Sequence, residues 1–433
     1  MKTRYAICGL SLRGVYHFLL PILGKNHPGG PNFNKNSELV AILDIDRKRV
    51  KEFCRKAGVD VPFYLPKGFQ AMIRDQKPDV ILVVSQDYSH CEYTVKGLLA
   101  GCDVIVEKPM VINQEQMRKV IAAERKSGKR IRVAFNMRYT PTHQKLKRMI
   151  QSGILGKITN VEFTYNLDTF HGASYFYRWN RSRAKSGGLC IHKCTHHFDF
   201  INWVLDDDPV EVYAYGALNY YGPKGALRPM KNGKPLPSTE EKRNCPYFKK
   251  HYAGKIDPEN NPSTGWDLYE LSADVQYPPN KKRYIYDKEV DVEDTYSALV
   301  KYRRGASMSY SCNFSTPWEG YLLGINGTKG RIEIAHHSHP DPTGNTKSAD
   351  EKNEIVFYPL FGGKQVVEIP AVDGAHGGAD LQIQRDLFGK PSRASKELAL
   401  VAGSRAGGYA VAIGEAVWRS AKSGKPIRIP RLK

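Results

Sequence analysis

Over roughly its first 125 residues the chain alternates short apolar, β-rich runs with stretches of helical periodicity. The runs are Arg4 to Cys8, Leu39 to Asp44, Val80 to Val84, Val104 to Val106 and Arg132 to Phe135. Between them lie helical patterns at Gly14 to Leu23, Arg47 to Ala57, His90 to Ala100 and Gln114 to Ser127. Such βαβ units close most simply into a doubly wound parallel sheet, with right-handed crossovers and ligands at the carboxyl ends of the strands.

After Pro141 the rhythm changes. A helix at Gln144 to Ser152 leads to longer alternating runs: Ile158 to Tyr165, Val210 to Ala217, Tyr296 to Tyr302, Ala306 to Asn313 and Arg331 to Ile334. These predict a largely antiparallel open sheet with a helix around Thr195 to Val204. The stretch Tyr220 to Val292 has no clear period and reads as a long insertion that shapes a site or a subunit contact, and His336 to Glu354 is a second irregular stretch. A helix at Gly407 to Ser420 closes the pattern. The expected architecture is an α/β domain over residues 1–138 and an α+β domain over residues 139–433, whose last helix packs back on the first.

No apolar run is long enough to span a bilayer, and the first strand begins too early to leave room for a signal peptide, so the expected location is cytoplasmic. The eight cysteines are scattered and read as reduced thiols. A net charge of +21, from 65 basic and 44 acidic residues, raises the question of nucleic acid. The basic residues are spread along the chain, with no helix-turn-helix, zinc-finger or RNP pattern, so a solvated basic surface is expected, or a basic funnel for an anionic substrate. Neither a nucleic acid nor a membrane is an expected partner.

After the first strand comes Gly9-Leu10-Ser11-Leu12-Arg13-Gly14 and then helix. A dinucleotide fingerprint needs glycines for a tight turn, for close approach to pyrophosphate and for helix packing. Ser11 stands at the middle position, but the strand before, the helix after and Asp44 at the end of the second strand supply the context. Gly9, Ser11, Leu12, Arg13 and Gly14 are therefore assigned to the cofactor. Asp44 is placed to accept the ribose hydroxyls, which favours NAD over NADP, although Arg47, Lys48 and Arg49 are candidates for a 2′-phosphate. Asp46 reads as a helix cap.

In Val104-Ile105-Val106-Glu107-Lys108-Pro109 a Glu and a Lys stand at the carboxyl end of a buried strand, where such a sheet holds its ligand. The proline holds Lys108 extended, aiming its ammonium off the strand. With the opening loop, "VAILDID", "PDVILVVSQDYSH", "AGCDVIVEKP", "VAFNMRY", "IQSGILGKI", "GGLCIHKCTHHFD" and "NGTKGRIEI", the chain resembles the Gfo/Idh/MocA oxidoreductases over nearly its whole length. The resemblance implies a Rossmann domain followed by an α+β domain, and a nicotinamide-dependent enzyme acting on a sugar or cyclitol hydroxyl. It implies that Glu107 and Lys108 line the nicotinamide pocket, that Ser85, Gln86 and His90 border the cofactor, and that Asn136 and Arg138 lie near it. It also implies a homodimer or homotetramer formed through the open sheet face.

The family usually carries Asp-x-x-x-His where this chain has His192-Lys193-Cys194-Thr195-His196. His196 is thus the expected general base, and His192, four residues earlier and on the same helical face if the helix begins early enough, orients it, binds substrate or shares the proton. A base with a pKa near neutrality suits removal of the hydroxyl proton as hydride leaves, and the Lys108 ammonium would stabilise the developing alkoxide. No metal is expected: the run Cys190 to His197 cannot converge from one helix and lacks C-x-x-C pairs. His197 has an equally good reading as a buried structural residue.

Tyr175 to Arg183 is rich in aromatics and arginines, which suits a sugar ring or an anionic sugar, so Tyr177, Trp179 and Arg183 join Lys108, His192 and His196 as substrate contacts. His376, in His-Gly-Gly-Ala-Asp, is a secondary candidate. That motif is reminiscent of the family's NAD-dependent glycosidases, the alternative to a dehydrogenase, while Lys108 favours the dehydrogenase. A nonenzymatic NAD-binding sensor is the third class.

Overall fold

The computed structural model describes residues 1–26, 29–236, 284–338, 354–370 and 378–432, with Glu240, Cys245, Tyr247 and Val372. Six strands form the first sheet: β1 (Thr3–Cys8), β2 (Ser37–Leu43), β3 (Phe63–Tyr64), β4 (Val80–Val83), β5 (Asp103–Val106) and β6 (Ile131–Val133). Their order is β3-β2-β1-β4-β5-β6 and every pair is parallel. Helices cover both faces, which is why strands such as β4 are buried at every position. The strand order reverses between β1 and β4, and a ligand crevice opens at that switch point.

Local chemistry sets the helix ends. Asp46 caps Arg47–Ala57 by accepting the Lys48 and Arg49 N–H groups, and Gly58 closes it in the left-handed region. Asn113 caps Gln114–Ser127. The other crossover helices are Phe69–Gln76, Asp87–Leu99 and the helical run from Leu12 to Leu23 between β1 and β2. Sequence periodicity missed β3 and Phe69–Gln76, because a two-residue strand shows no period and the helix after it is short.

The second sheet has nine strands in the order β16-β15-β14-β13-β7-β12-β11-β8-β17. These are β7 (Ile158–Asp168), β8 (Pro209–Ala217), β11 (Thr295–Tyr302), β12 (Ser307–Thr316), β13 (Glu319–Gly327), β14 (Gly330–Ser338), β15 (Glu354–Pro359), β16 (Gln365–Glu368) and β17 (Ile427–Arg428); β9 (Met230–Lys231) and β10 (Lys234–Pro235) make a separate hairpin. Only β7 and β12 pair parallel. In β11 exposed and buried residues alternate, so one face is covered and the other is open. The helix Ser404–Ser423 packs on β8 and against the helix Thr195–Leu205. The open face presents Tyr215, Leu299 and Leu322.

The interior strand β13 carries Gly320, Gly324 and Gly327, which hide its alternation in the sequence. At Gly320 a Cβ would lie 1.9 Å from the His336 carbonyl oxygen. Both ends of the 220–292 stretch are anchored: Tyr221, Tyr284 and Ile285 are buried, and Asp294 accepts the backbone N–H groups of Asn219, Tyr220 and Tyr221. The middle of that stretch, and most of 336–354, lie outside the described residues. The last helix does not end the pattern, since β17 follows it and pairs with β8. Just before that helix the chain returns to the first sheet, where the Val133 N–H donates to the Ala402 carbonyl at 2.9 Å. Among the described residues no helix is long and apolar enough to cross a membrane.

Candidate active site

A cleft of about 670 Å³ runs from the β1 loop to the start of the helix Thr195–Leu205. Its cofactor end is built by close approach. Gly9 has φ +95°, and a Cβ there would lie 2.5 Å from the Ser85 Cα. A Cβ on Gly14 would meet the Val84 side chain at 2.8 Å, so the helix can pack on the sheet only without one. Ser11, at the remaining fingerprint position, is an N-cap: its Oγ accepts the Gly14 N–H at 3.0 Å and donates to the Val84 carbonyl at 3.2 Å. This cradle fits a dinucleotide phosphate. Gly9, Ser11 and Arg13 line the cleft, Gly14 is buried against Val84, and Leu12 is half-buried and outside the lining.

Asp44 also lines the cleft, and its carboxylate accepts the Leu10 N–H at 2.6 Å and the Asp46 N–H at 2.8 Å. It therefore fixes the loop as well as offering an anionic edge to a ribose. Of the three basic residues that follow, Arg49 reaches the cleft, 3.9 Å from Asp44, while Arg47 lies over the Phe63 ring.

Arg13 turns into the protein. It donates to Glu107 at 2.9 Å and to Asp380 at 3.2 Å, and Asn136 donates to the same Asp380 oxygen at 3.1 Å. Ser85, Gln86, His90, Glu107 and Asn136 all border the cleft. His90 joins its two turns, with Nδ1 2.8 Å from the Pro109 carbonyl oxygen and Nε2 3.0 Å from that of Ser85, and burial lowers its pKa.

The Lys108–Pro109 bond is cis. The Lys108 Nζ donates to the His192 carbonyl at 2.9 Å, so the ammonium spans the two domains. Burial lowers its pKa to about 8, against the pull of Asp87 and Glu107.

His192 and His196 do not share one helix. A short helix, Leu189–His192, ends at His192, the chain turns through Lys193 and Cys194, and the next helix starts at Thr195. The turn nevertheless brings both rings to the cleft. The His192 Nδ1 lies 2.5 Å from an Asp87 oxygen, and its Nε2 accepts from the Asn180 amide at 2.9 Å. Burial raises the Asp87 pKa and lowers that of His192. The His196 Nδ1 has no hydrogen-bond partner among the described residues, and burial followed by Lys108 and Lys193 keeps the ring neutral. His197 is a core residue: it is fully buried, stacked on Tyr165, with Nδ1 2.7 Å from the Tyr310 hydroxyl.

Three expected contacts stand elsewhere. Arg138 is held behind the cleft in a buried ion pair with Asp199, at 2.5 and 2.8 Å. Tyr177 is fully buried in the core. Arg183 forms a two-oxygen pair with Glu293 and lies over the Trp418 ring. The one-residue steps of a helix separate Tyr177 from its neighbour Arg178, which does reach the cleft, as does Trp179. His376 lies outside the described residues.

Sequence reasoning missed Asp87, His171 and Lys193, which line the cleft, and took in Tyr175 and Arg178, which also line it, only as part of the aromatic and basic stretch Tyr175 to Arg183. Asp87 stands in the first turn of its helix between Gln86 and His90, a position that favours a carboxylate facing a ligand crevice, and was the one recoverable signal. Two groups of metal-ligand type side chains are close together among the described residues: Asp168, His171 and Glu319, and Cys194, His197 and Cys312. In the first, the His171 Nδ1 pairs with Glu319 at 2.7 Å and Asp168 caps a helix. The second draws Cys194 and His197 together through Cys312 on β12, a partner too distant in sequence to weigh.

Residues 3–135 match the family model for an oxidoreductase NAD-binding Rossmann fold, and residues 147–429 match that for the C-terminal alpha/beta domain of the same family. The chain is 41% identical to the oxidoreductase-family protein YteT of Bacillus subtilis (strain 168), across 98% of this chain and 97% of that one. It is 29% identical to an inositol 2-dehydrogenase of Pseudomonas fluorescens (strain SBW25), over 41% of this chain and 49% of the relative. The fold matches a levoglucosan dehydrogenase, solved with NADH and levoglucosan, at a TM-score of 0.67 and 16% identity over 100% of both chains. The chain belongs to the Gfo/Idh/MocA oxidoreductase family and carries its NAD-binding Rossmann domain.

Proposed function

We propose that the protein is a dehydrogenase that oxidises a hydroxyl-bearing carbon of a sugar, glycoside or cyclitol, with residues 1–138 holding NAD and residues 139–433 holding the substrate. The observation that carries this reading is the convergence of Lys108 and His196 on the cleft that Gly9, Ser11 and Asp44 open. Bound NAD would supply the hydride acceptor. His196, which lines the cleft with its ring held neutral by burial and by Lys108 and Lys193, takes the hydroxyl proton. The Lys108 ammonium, fixed by the His192 carbonyl, stabilises the developing alkoxide in a site dry enough to depress its own pKa. His192, locked between Asp87 and Asn180, is a positioning residue: it fixes Lys108 through its backbone and keeps the Asp87 charge near that ammonium. Trp179 stands edge-on to His192 and offers a ring face to the substrate.

The inositol and levoglucosan dehydrogenases to which the chain is similar support a polyhydroxy substrate. The glycosidase alternative gains nothing from Asp380, which is committed to Arg13 and Asn136. The test is a panel of sugars, cyclitols and chromogenic glycosides with NAD, read by NADH absorbance and product analysis together. NADH formation with a polyhydroxy substrate is expected; aglycone release without net NADH would replace the dehydrogenase with the glycosidase.

A further inference from the structure

The substrate end of the cleft holds two cations that the proposed reaction does not use. Arg178 lies over the Tyr175 ring, its Cζ 5.2 Å from the centroid, and spends Nε and Nη2 on the Ser174 carbonyl and hydroxyl, both at 2.9 Å. Lys193, in the turn between the two histidines, lies 5.2 Å from the Tyr165 ring centroid. Both line the cleft, and both act on the same two groups, His192 and Tyr175. Neither has a carboxylate within 4.0 Å among the described residues, whereas the carboxylates nearby are taken: Asp87 by His192, Glu107 by Arg13 and Glu319 by His171. Glu319 acts on Lys193 after Tyr165 and Tyr175, but it is bonded to His171, and that bond together with the Lys193 charge holds its pKa at about 2 despite burial.

Two partly buried cations beside the hydride-transfer groups, each set against an aromatic ring and with no carboxylate partner among the described residues, leave charge for a ligand to neutralise. The geometry points to a carboxylate subsite: Arg178 and Lys193 bind the carboxylate of a sugar acid while Lys108 and His196 address one of its hydroxyls. The inference rests on the proposed function and narrows its substrate to an acidic polyhydroxy compound of the uronate type. A sugar phosphate shares the negative charge. The site, however, offers one guanidinium edge and one ammonium on aromatic walls, away from the backbone cradle around Gly9, which suits a planar group.

The experiment titrates NAD-saturated protein calorimetrically with matched sets, each holding a neutral aldose, its uronate and its phosphate, while NADH formation is followed separately. A uronate preference over the neutral sugar of about tenfold or more is expected in at least one set, as charge-assisted pairing provides. Arg178→Gln and Lys193→Met should bring that ratio to within about twofold, and Arg178→Lys should restore part of it, with NAD affinity reporting that each variant is folded. Equal binding of uronate and neutral sugar, no binding of either, tighter binding of the phosphate, or a preference that survives both substitutions would overturn the subsite. Hydride transfer from neutral sugars without uronate preference leaves the dehydrogenase standing and removes only the subsite. Uronate-selective binding without hydride transfer from any sugar does the reverse.

Discussion

The Asp87 carboxylate and the His192 Nδ1 meet at 2.5 Å, joining the first turn of a Rossmann-domain helix to the histidine turn of the second domain. Asp87 also raises the Lys108 pKa, which burial lowers to about 8. If the ammonium is the active form, oxidation falls as pH rises through about 8. Asp87→Asn removes the charge that favours the ammonium, so the falling limb should move to lower pH and turnover should drop by about tenfold or more. A pH profile of kcat for both proteins checks this, and an unmoved limb would separate Asp87 from Lys108. The same shift has a stability sign. Lys108 in the unfolded chain titrates near 10.4, so between about 8 and that value the unfolded state holds more protons and stability rises with pH.

Lys108→Ala and His196→Ala should each lose turnover by at least about a hundredfold while NAD affinity stays within severalfold, because neither side chain builds the phosphate cradle. His192→Asp, which restores the residue usual in the family, should retain measurable activity. Steady-state hydride transfer beside a binding titration decides the matter; near-normal turnover in both alanine variants would sink the mechanism.

Gly9→Ala should abolish dinucleotide binding. The added Cβ would sit 2.5 Å from the Ser85 Cα on a backbone at φ +95°, and neither chain segment has a flexible side chain to yield. Loss of NAD binding with an unchanged far-UV spectrum is the expected result, and retained affinity would show that the two turns can part.

NAD should bind at least about tenfold more tightly than NADP, since Asp44 opposes a 2′-phosphate. Because the same carboxylate holds the Leu10 and Asp46 N–H groups, Asp44→Ala should weaken NAD more than it helps NADP. Fluorescence titration with both dinucleotides tests the ratio. Tighter NADP binding would give the decision to Arg49.

Burial of the open sheet face around Tyr215, Leu299 and Leu322 should make the protein a dimer or tetramer. Light scattering should give a multiple of the 48.8 kDa chain mass, and Leu299→Glu should lower it. A monomer at micromolar concentration would count against this.

The parallel sheet was legible because its strands are buried on both faces and its crossover helices carry their own caps, as at Asp46 and Asn113. The phosphate loop and Lys108 follow from strand ends that any such sheet directs at its ligand. What the sequence hid was set by distant partners or by breaks in period. Arg138 and Arg183 look like ligand groups until Asp199 and Glu293 claim them. His192 and His196 look helical until the turn at Lys193 separates them, and that turn brings Lys193 itself into the cleft. β13 was lost to its glycines, and Cys312 could not be joined to Cys194 before the sheet was known.

The bond from Val133 to Ala402 gives the chain an order of completion. β6 is the last strand of the first sheet, and its outer edge stays uncapped until the residues just before the final helix have left the ribosome. The outer edge of β6 thus takes its partner from a segment made only after every strand of the second sheet but β17, so the two halves of the chain are completed together rather than in turn.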